Sequence, residues 1–321
     1  MALSVGVAVV AMLGACSEDT DVASGAGDAS APTVIATTSI WADVTSQVGC
    51  GEVQVDTLIP VGTDAHEFEP TVQEADALLG ASLVVANGLG LEEGLTDTLD
   101  AAAQDGVTVV EVGPELDPIA GGDDHAEEEA GHSEEEAGHD HADSDDPHVW
   151  MDPERVAMAV PIIAEALEQV DGLSVDAEQI QGCADDYVTE LTELSDEMAS
   201  TLGALEGTQR HLVTNHEALG YLADRFDLEV IGAVIPSTST LGESNVRDLD
   251  ELAQVMQDEG VTRIFGEVTG SDQVAAALAD KVGADVEVVA LYTESVGDAG
   301  SGAETYLDMM GVNAGLIAGQ S

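Results

Sequence analysis

The sequence contains very few positively charged residues. Only six of its 321 residues are Lys or Arg, against 65 Asp and Glu, so the formal net charge at pH 7 is −59. A chain of this charge repels nucleic acids and anionic lipid surfaces, which argues against nucleic-acid binding. The segment Gly121–His148 holds only 12 of the acidic residues, so the charge is spread over the whole chain. Such a composition is typical of a protein that works at high salt, where counterions screen repulsion between carboxylates.

Aromatic residues and long apolar runs are scarce as well. Phe, Trp and Tyr make up 3% of the chain while hydrophobic residues make up 44%, so a core of Val, Leu, Ile and Ala is expected. The apolar run Met1–Ala15 is shorter than the roughly 20 residues that a membrane-spanning helix needs. It resembles the apolar part of a signal peptide, and we predict a signal peptide over residues 1–15.

Cysteine occurs at three positions, Cys16, Cys50 and Cys183. The stretch Leu13-Gly14-Ala15-Cys16 resembles the lipobox of bacterial lipoproteins, in which cleavage precedes the Cys and its thiol is lipidated. A small, polar, Gly- and Ser-rich stretch follows, so we predict a lipid-anchored tether over residues 16–32. Because exported proteins form disulfides, Cys50 and Cys183 are a possible pair.

Strand-like and helical segments alternate twice along the chain. β-branched runs alternate with helical patterns over residues 33–112, and the same alternation returns after residue 210. This order predicts parallel strands joined by right-handed crossovers. Residues 175–205 between the two halves form one long helical pattern. We predict an α/β protein with two similar lobes, residues 33–174 and 206–321, each with a central, mainly parallel four-stranded sheet flanked by helices and joined by this connector helix.

The segment 119–146 interrupts the first lobe. It consists largely of acidic residues, His, Gly and Ala, and it lacks the apolar residues that a packed core requires. We therefore expect an acidic inserted loop without regular structure. Its four histidines are candidates for a secondary, weaker metal-binding loop: His125, His132, His139 and His141. The alternative is a linker that is only solvated.

Potential metal ligands follow predicted strands, where the ligands of open α/β sheets collect. His66 lies in the loop after the second strand, His216 follows the strand at 211–214, and Glu294 follows the last strand. His148 comes directly after the acidic loop. Three imidazoles and one carboxylate suit a tetrahedral Zn²⁺ site. Their spacings of 82, 68 and 78 residues match no local metal motif, so the fold has to assemble the site.

Four stretches of the sequence resemble the ZnuA-like solute-binding proteins of zinc and manganese ABC transporters (cluster A-I). These stretches are Gly62–Pro70, Asn87–Glu92, Asp146–Pro153 and Thr214–Tyr221. The resemblance covers the chain from about Thr33 to its end and implies that His66, His148 and His216 are metal ligands. The fourth ligand of the family stands in a Thr-Asp-Ser stretch, which here contains Glu294. Water, Glu67 and Glu267 remain alternatives for that position.

The resemblance also implies a function. Manganese-binding members tend to carry Glu at the third ligand position, where this chain has His216, so Zn²⁺ is expected as the ligand rather than Mn²⁺. Zinc-binding members often carry a loop of acids and His that collects metal. We therefore expect a monomer without enzymatic activity, held outside the cytoplasm by a lipidated Cys16. It would bind Zn²⁺ with high affinity and deliver it to a permease in the membrane.

Other functions remain open. A manganese-binding homologue, a surface metal buffer or an adhesin would use the same fold and site. A zinc hydrolase would need an open coordination position and a general base, for which Glu67 is the candidate beside His66. The sequence has no His-Glu-x-x-His pattern, and four protein ligands leave no position for a reactive water. Both points argue against the hydrolase.

Overall fold

The computed structural model of the chain describes residues 32–121, 145–242, 244–270, 273–283 and 285–320. The predicted lipidation residue Cys16 and the loop histidines His125, His132, His139 and His141 lie outside these ranges. Residues from Pro32 onward form one compact unit. Within the described ranges, no helix combines the length and apolar composition required to cross a membrane.

The first sheet contains four parallel strands in the order β2-β1-β3-β4. They are β1 (Val34–Ala36), β2 (Val55–Thr57), β3 (Leu83–Ala86) and β4 (Thr108–Glu111). The central strands β1 and β3 are fully buried, because helices cover both faces of a parallel sheet. The helices of this lobe are α1 (Ser39–Val48), α2 (Val72–Leu79), α3 (Thr96–Gln104) and α4 (Pro153–Glu168).

A helix of 26 residues, α5 (Ala177–Leu202), connects the two lobes. A capping box between Asp176 and Gln179 starts it. Its buried stripe packs against α1 and α4 of the first lobe and against the final helix of the second. Cys50, just after α1, and Cys183, in α5, form a disulfide with their Cα atoms 5.4 Å apart. The connector is therefore fixed to the first lobe covalently as well as by packing.

The second sheet repeats the topology of the first, with the strand order β6-β5-β7-β8 and all strands parallel. Its strands are β5 (His211–Thr214), β6 (Glu229–Ala233), β7 (Arg263–Glu267) and β8 (Glu287–Leu291). Its helices are α6 (Gly220–Phe226), α7 (Val246–Glu259), α8 (Gln273–Val282) and α9 (Tyr306–Ile317). In both sheets the strand order reverses beside the first strand, and this reversal opens a crevice at the carboxyl edge.

One hydrophobic core runs through both lobes. It includes Val34 and Leu83 from the first sheet, and Leu212 and Leu291 from the second. A smaller cluster around Ile264 fills the space between the second sheet and the helices α7 and α8. Because the main core is shared, packing fixes the two sheets relative to each other and so positions the loops at their carboxyl edges.

Two helices begin later than the sequence pattern predicts. The pattern places a helix over residues 91–104, but α3 begins at Thr96, because the buried Glu92 turns inward and accepts hydrogen bonds from the backbone N–H groups of Asn87 and Gly88. The predicted helix at 217–225 begins at Gly220 instead. The residues before it form the loop that carries His216. Before α3 the chain instead forms a short 3₁₀ helix at Glu93–Leu95, whereas before α6 a loop takes the place of the first helical turn.

Candidate metal centre

Four buried side chains converge between the carboxyl edges of the two sheets. They are His66, His148, His216 and Glu294, and each offers one ligand atom within 4.8 Å of the others. None is more than 5% exposed. His66 comes from the loop after β2, His216 from the loop after β5 and Glu294 from the loop after β8. His148 stands before a short 3₁₀ helix that leads into α4. The structure thus brings together the four residues named from the sequence.

Several of the separations between the ligand atoms lie close to those of a tetrahedral zinc site. Bonds of about 2.0–2.2 Å to zinc require neighbouring ligand atoms to lie about 3.3–3.6 Å apart. The Nε2 atom of His148 lies 3.4 Å from that of His66 and 3.0 Å from that of His216. The nearest oxygens of Glu294 lie 3.3 Å, 3.6 Å and 4.0 Å from the Nε2 atoms of His148, His216 and His66. All four ligand atoms lie within 4.8 Å of one another, so shifts of the side chains toward the centre would allow one cation to contact all four groups.

Two of the histidines share one local motif, an Asp two residues earlier. The backbone N–H of His66 donates to Oδ1 of Asp64 at 2.9 Å, and the N–H of His148 donates to Oδ1 of Asp146 at the same distance. Such Asp turns fix the backbone without a regular element, because the side chain replaces a backbone acceptor. The repeated Asp-x-His pattern therefore explains how two loops without regular secondary structure fix the backbone positions of His66 and His148.

Carboxylates also set the ring orientation of two imidazoles. The Nδ1 atom of His148 lies 2.7 Å from Oδ1 of Asp146. The Nδ1 atom of His216 pairs with Oε1 of Glu267, at the end of the neighbouring strand β7. A carboxylate on Nδ1 keeps the proton there, so the Nε2 lone pair points to the centre of the site. In both residues the Nε2 atom is the one that faces the other ligands.

Contacts to the first lobe hold the loop that carries Glu294. The indole N–H of Trp150 donates to the carbonyl of Thr293 at 2.8 Å. The hydroxyl of Ser295 lies 3.0 Å from that of Ser39, at the start of α1, and accepts from the N–H of Gly62 at 2.9 Å. Glu294 is thus positioned by both lobes. Its two buried carboxylate oxygens find no hydrogen-bond partner among the described residues, which leaves them available to a cation.

A buried polar network supports the His148 loop from behind. The side-chain amide of Asn87 donates to the carbonyl of Pro147 at 3.0 Å and accepts from the indole N–H of Trp41 at 2.9 Å. Glu92 accepts from the backbone N–H of Asn87 and from the hydroxyl of Thr37. Asn87 and Glu92 lie in the Asn87–Glu92 turn noted in the sequence, and their hydrogen bonds hold the backbone beside His148.

The charges within the site depend strongly on one another. Burial lowers the pKa of His66 to about 4, so this imidazole is neutral at pH 7. Burial also acts to lower the pKa of His148, but the carboxylates of Asp146 and Glu294 outweigh it and raise that pKa to about 10. Burial acts to raise the pKa of Glu294, but the nearby imidazole of His148, followed by those of His66 and His216, outweighs burial and lowers that pKa to about 2. His148 and Glu294 therefore form a buried ion pair when no cation binds.

The structure places the three candidate carboxylates for the fourth position in different surroundings. The side chain of Glu67 points to solvent, because this residue is exposed although it follows His66 directly. Both oxygens of Glu267 are already engaged, one by His216 and the other by the side-chain amide of Asn215 at 3.0 Å. Glu294 alone of these carboxylates offers an oxygen to the centre. The extra methylene of Glu relative to Asp is accommodated at this position.

Sequence reasoning did not identify the residues that orient the ligands. Asp64 and Asp146 have a recognisable signal, the Asp-x-His pattern that occurs in both loops. Glu267 was named from the sequence only as an alternative fourth ligand. Its role toward His216 has no local signal, because it lies 51 residues from His216 and reaches it only through the pairing of β5 with β7. The anchor between Trp150 and Thr293 likewise depends on the packing of the two lobes.

Comparison with known proteins gives a consistent result. The family model described as zinc-uptake complex component A, periplasmic (ZnuA), matches residues 34–319. The manganese-binding lipoprotein MntA of Halalkalibacterium halodurans is 26% identical over 277 residues, which cover 86% of this chain and 84% of that protein. The zinc-binding protein TroA of Treponema pallidum is 28% identical over 300 residues, 91% of each chain. The solved structure of the periplasmic TroA has a TM-score of 0.76 at 27% identity and covers 90% of this chain and 98% of its own.

Proposed function

Because this chain belongs to the family of the periplasmic zinc-uptake complex component A, we propose that it captures Zn²⁺ outside the cytoplasm and delivers it to the membrane permease of an ABC importer. The observation that carries this proposal is the convergence of four buried ligand atoms from both lobes. A buried centre with no open coordination position is suited to holding and releasing a cation rather than to chemistry on a substrate.

The composition of the ligand set favours Zn²⁺ over Mn²⁺. Three imidazoles and one carboxylate are typical of zinc, whereas Mn²⁺ prefers oxygen ligands in octahedral geometry. The carboxylates on Nδ1 of His148 and His216 make these imidazoles more basic ligands. The relatives are named for both metals, and MntA of Halalkalibacterium halodurans is named for manganese. Manganese transport is therefore the second candidate.

The same reasoning disfavours a zinc hydrolase. Its general base would have to contact a metal-bound water, but Glu67 is exposed and Glu267 is occupied by His216 and Asn215. With Glu294 as fourth ligand, no coordination position remains for the water. We propose a transport function without catalysis.

The N-terminal region provides the membrane attachment in this proposal. Several relatives are named as lipoproteins, and the lipobox-like stretch before Cys16 supports lipidation at that residue. We propose a monomer anchored outside the cell membrane, with the acidic His loop as a weaker metal-collecting segment.

Metal competition tests the proposal. The protein is purified without added metal, its metal content is measured, and the stripped protein is titrated with Zn²⁺ in the presence of excess Mn²⁺. We expect one tight Zn²⁺ per chain and a preference over Mn²⁺ of about a hundredfold or more.

His216→Ala should weaken zinc binding by orders of magnitude. The matched control is His211→Ala, which removes a histidine on the same loop-bearing strand β5 but outside the site. Equal loss in both variants, or tighter Mn²⁺ binding, contradicts the proposal.

A further inference from the structure

The carboxylate of Glu294 is held differently from the imidazoles of His148 and His216. Each of those two rings is fixed by a carboxylate on its Nδ1 atom. Among the described residues, none outside the candidate ligand set donates a hydrogen bond to the carboxylate oxygens of Glu294. The position of this carboxylate therefore depends on the backbone that carries it.

The backbone of Tyr292, two residues before Glu294, faces the open edge of the second sheet. It follows β8, which is the last strand of that sheet and has β7 as its neighbour. The carbonyl of Leu291 accepts from the N–H of Val268 at 3.0 Å, so Leu291 directs its backbone toward β7. Because successive residues of a strand direct their backbone groups to opposite sides, those of Tyr292 point away from β7. There they need a partner that is not a strand.

The side-chain amide of Asn313 in α9 is that partner. Its Oδ1 atom accepts from the N–H of Tyr292 at 3.0 Å, and its Nδ2 atom donates to the carbonyl of the same residue at 2.8 Å. An amide supplies the donor and the acceptor that a neighbouring strand would offer. Asn313 is 1% exposed and lies on a helix face that is otherwise mainly apolar. Since Asn is a poor residue for a helix interior, its hydrogen bonds to Tyr292 explain its presence there.

The amide stands on a fixed element, because α9 is anchored at both ends. Near its start, the hydroxyl of Tyr306 donates to the carbonyl of Trp150 in the first lobe at 2.7 Å. Near its end, the Nη1 atom of Arg263 in β7 donates to the carbonyl of Leu316 at 3.3 Å. Asn313 therefore holds the end of β8 against a helix that both lobes keep in place.

We propose that Asn313 is a positioning residue for the metal centre. By holding the backbone of Tyr292, it sets where the carboxylate of Glu294 meets the cation. This inference rests on the proposed function, because it concerns the same site. If the loop shifts, the carboxylate retreats and leaves a coordination position to water. A more open, oxygen-rich set of ligands suits Mn²⁺ better than a closed tetrahedral one, so Asn313 supports both zinc affinity and the preference for zinc.

A double-mutant cycle read by zinc titration tests the proposal. Asn313→Leu keeps the branched shape of the side chain and removes both hydrogen bonds. Asn313→Ala, which leaves room for water beside Tyr292, replaces it if the leucine variant does not fold. Each substitution is also combined with Glu294→Ala. The matched control is Met309→Ala, which removes buried volume from the same face of α9 but no side-chain hydrogen bond. Circular dichroism verifies that every variant is folded at the temperature of the titration.

We expect Asn313→Leu to weaken zinc binding about 10- to 100-fold, and Met309→Ala to stay within about threefold of the unchanged protein. The affinity for Mn²⁺ should fall less than that for Zn²⁺. In the Glu294→Ala background, Asn313→Leu should have no further effect, because its influence passes through that carboxylate. In the cobalt-loaded protein, Asn313→Leu should weaken the visible absorption, since tetrahedral cobalt centres absorb more strongly than centres that have gained water.

Equal losses of zinc affinity in the two backgrounds overturn the proposal, because a merely structural role does not depend on Glu294. Unchanged affinity in Asn313→Leu also overturns it, as does a loss of the same size in Met309→Ala or an unaltered cobalt spectrum. Failure of the unchanged protein to bind zinc would instead contradict the proposed function.

Discussion

Two of the three candidate ligand imidazoles carry a carboxylate on the nitrogen that faces away from the centre. Asp146 and Glu267 accept from His148 and His216, so the Nε2 atom of each imidazole is directed inward before any cation arrives. The cost of this preorganisation is a high proton affinity at His148, whose proton is shared with Glu294. At the scale of single residues, a proton and a cation compete for the same place.

Zinc binding should therefore release about one proton over a wide pH range. The pKa of His148 is raised to about 10 and that of His66 is lowered to about 4, so at pH 7 His148 is protonated and His66 is neutral in the metal-free protein. Because a metal requires the neutral imidazole, the proton on His148 should make affinity rise about tenfold per pH unit above pH 7 and level off above about pH 10. Calorimetry in buffers of different ionisation enthalpy measures the proton count. A count near zero at pH 7 contradicts this account of His148.

The same linkage makes the metal-free fold sensitive to pH. The raised pKa of His148 stabilises the fold below its unfolded pKa of about 6.5, and this contribution is lost as the pH rises through about 10. The lowered pKa of Glu294 stabilises the fold above about pH 4.5, and this contribution is lost as the pH falls through about 2. Both contributions are complete between about pH 4.5 and pH 6.5, and that of His148 declines from there to about pH 10.

Glu267 should affect metal affinity although it is not a ligand. Glu267→Gln keeps a hydrogen-bond acceptor for His216 but removes its charge, and a loss of about 10- to 100-fold in zinc affinity is expected. The control is Glu229→Gln, which neutralises the carboxylate 3.5 Å from His211 outside the site. Competition with a chromophoric chelator compares the two variants. An unchanged affinity in Glu267→Gln would show that the carboxylate has no influence on His216 as a ligand.

The four candidate ligands could be named from the sequence because each follows a strand end or the acidic loop, and the fold brings them together. The residues that orient them were less accessible. Asp64 and Asp146 act through neighbours two positions away, and their local pattern is visible in the sequence. Glu267 acts across two strands, and the direction of its side chain is decided by the register between β5 and β7. Local chemistry is therefore readable from one sequence, whereas contacts between distant segments need the fold.

At the scale of elements, hydrogen bonds between the residues on either side of the acidic loop close its base. Ala120 and Asp145 pair as an isolated antiparallel bridge, and the N–H of Asp146 donates to the carbonyl of Ile119 at 2.8 Å. The hydroxyl of Tyr221 accepts from Ile119 and donates to the carbonyl of Asp146. The chain is thus held from both sides just before His148.

Deletion of residues 122–144, with two glycines in their place, should leave the tight zinc site intact. The bridge between Ala120 and Asp145 already brings the two ends together, so a short link closes the gap. We expect one tight equivalent as before and the loss of weaker zinc equivalents in a full titration. A second variant, with the four loop histidines replaced by Asn, separates the role of imidazole from that of the acids. Loss of the tight site, or a single equivalent in the intact protein, contradicts this prediction.

The order of elements was predictable because hydrophobic periodicity reports buried faces, and the two alternating halves indicated two parallel sheets. The predicted element boundaries were less accurate than their order. Residues 91–95 fit a helical pattern, yet Glu92 bonds to the turn at Asn87 and delays α3. Residues 53–60 fit a strand pattern, but the regular strand β2 at the edge of its sheet covers only Val55–Thr57. Tertiary contacts decided both cases.

At the scale of the whole molecule, the charge of −59 acts against the compact state. The basic residues offset little of this charge, because only six exist. Two of them, Arg155 and Arg225, lie beside Asp152 at the junction of α4 and α6. Screening by salt should therefore stabilise the fold. The Debye length falls from about 10 Å at 0.1 M to about 3 Å at 1 M, so the effect should be nearly complete by 1 M.

We expect the urea midpoint of unfolding to rise between 0.1 M and 1 M KCl and to level off above it. Potassium sulfate at equal ionic strength is the comparison, because a salt that acts by exclusion from the surface continues to stabilise beyond that point. Circular dichroism follows the transition. A midpoint that falls with salt, or does not change, would mean that repulsion between the carboxylates does not limit stability.

The central claim is that this fold assembles a zinc site from His66, His148, His216 and Glu294. Anomalous diffraction from crystals of the protein, purified without added metal and loaded with an equimolar mixture of Zn²⁺ and Mn²⁺, tests it most directly. Data collected on both sides of the zinc and manganese absorption edges identify the ion. We predict one zinc peak about 2.0–2.2 Å from the three Nε2 atoms and a Glu294 oxygen. A manganese peak at this position, or a zinc peak bound by other residues, would contradict the claim.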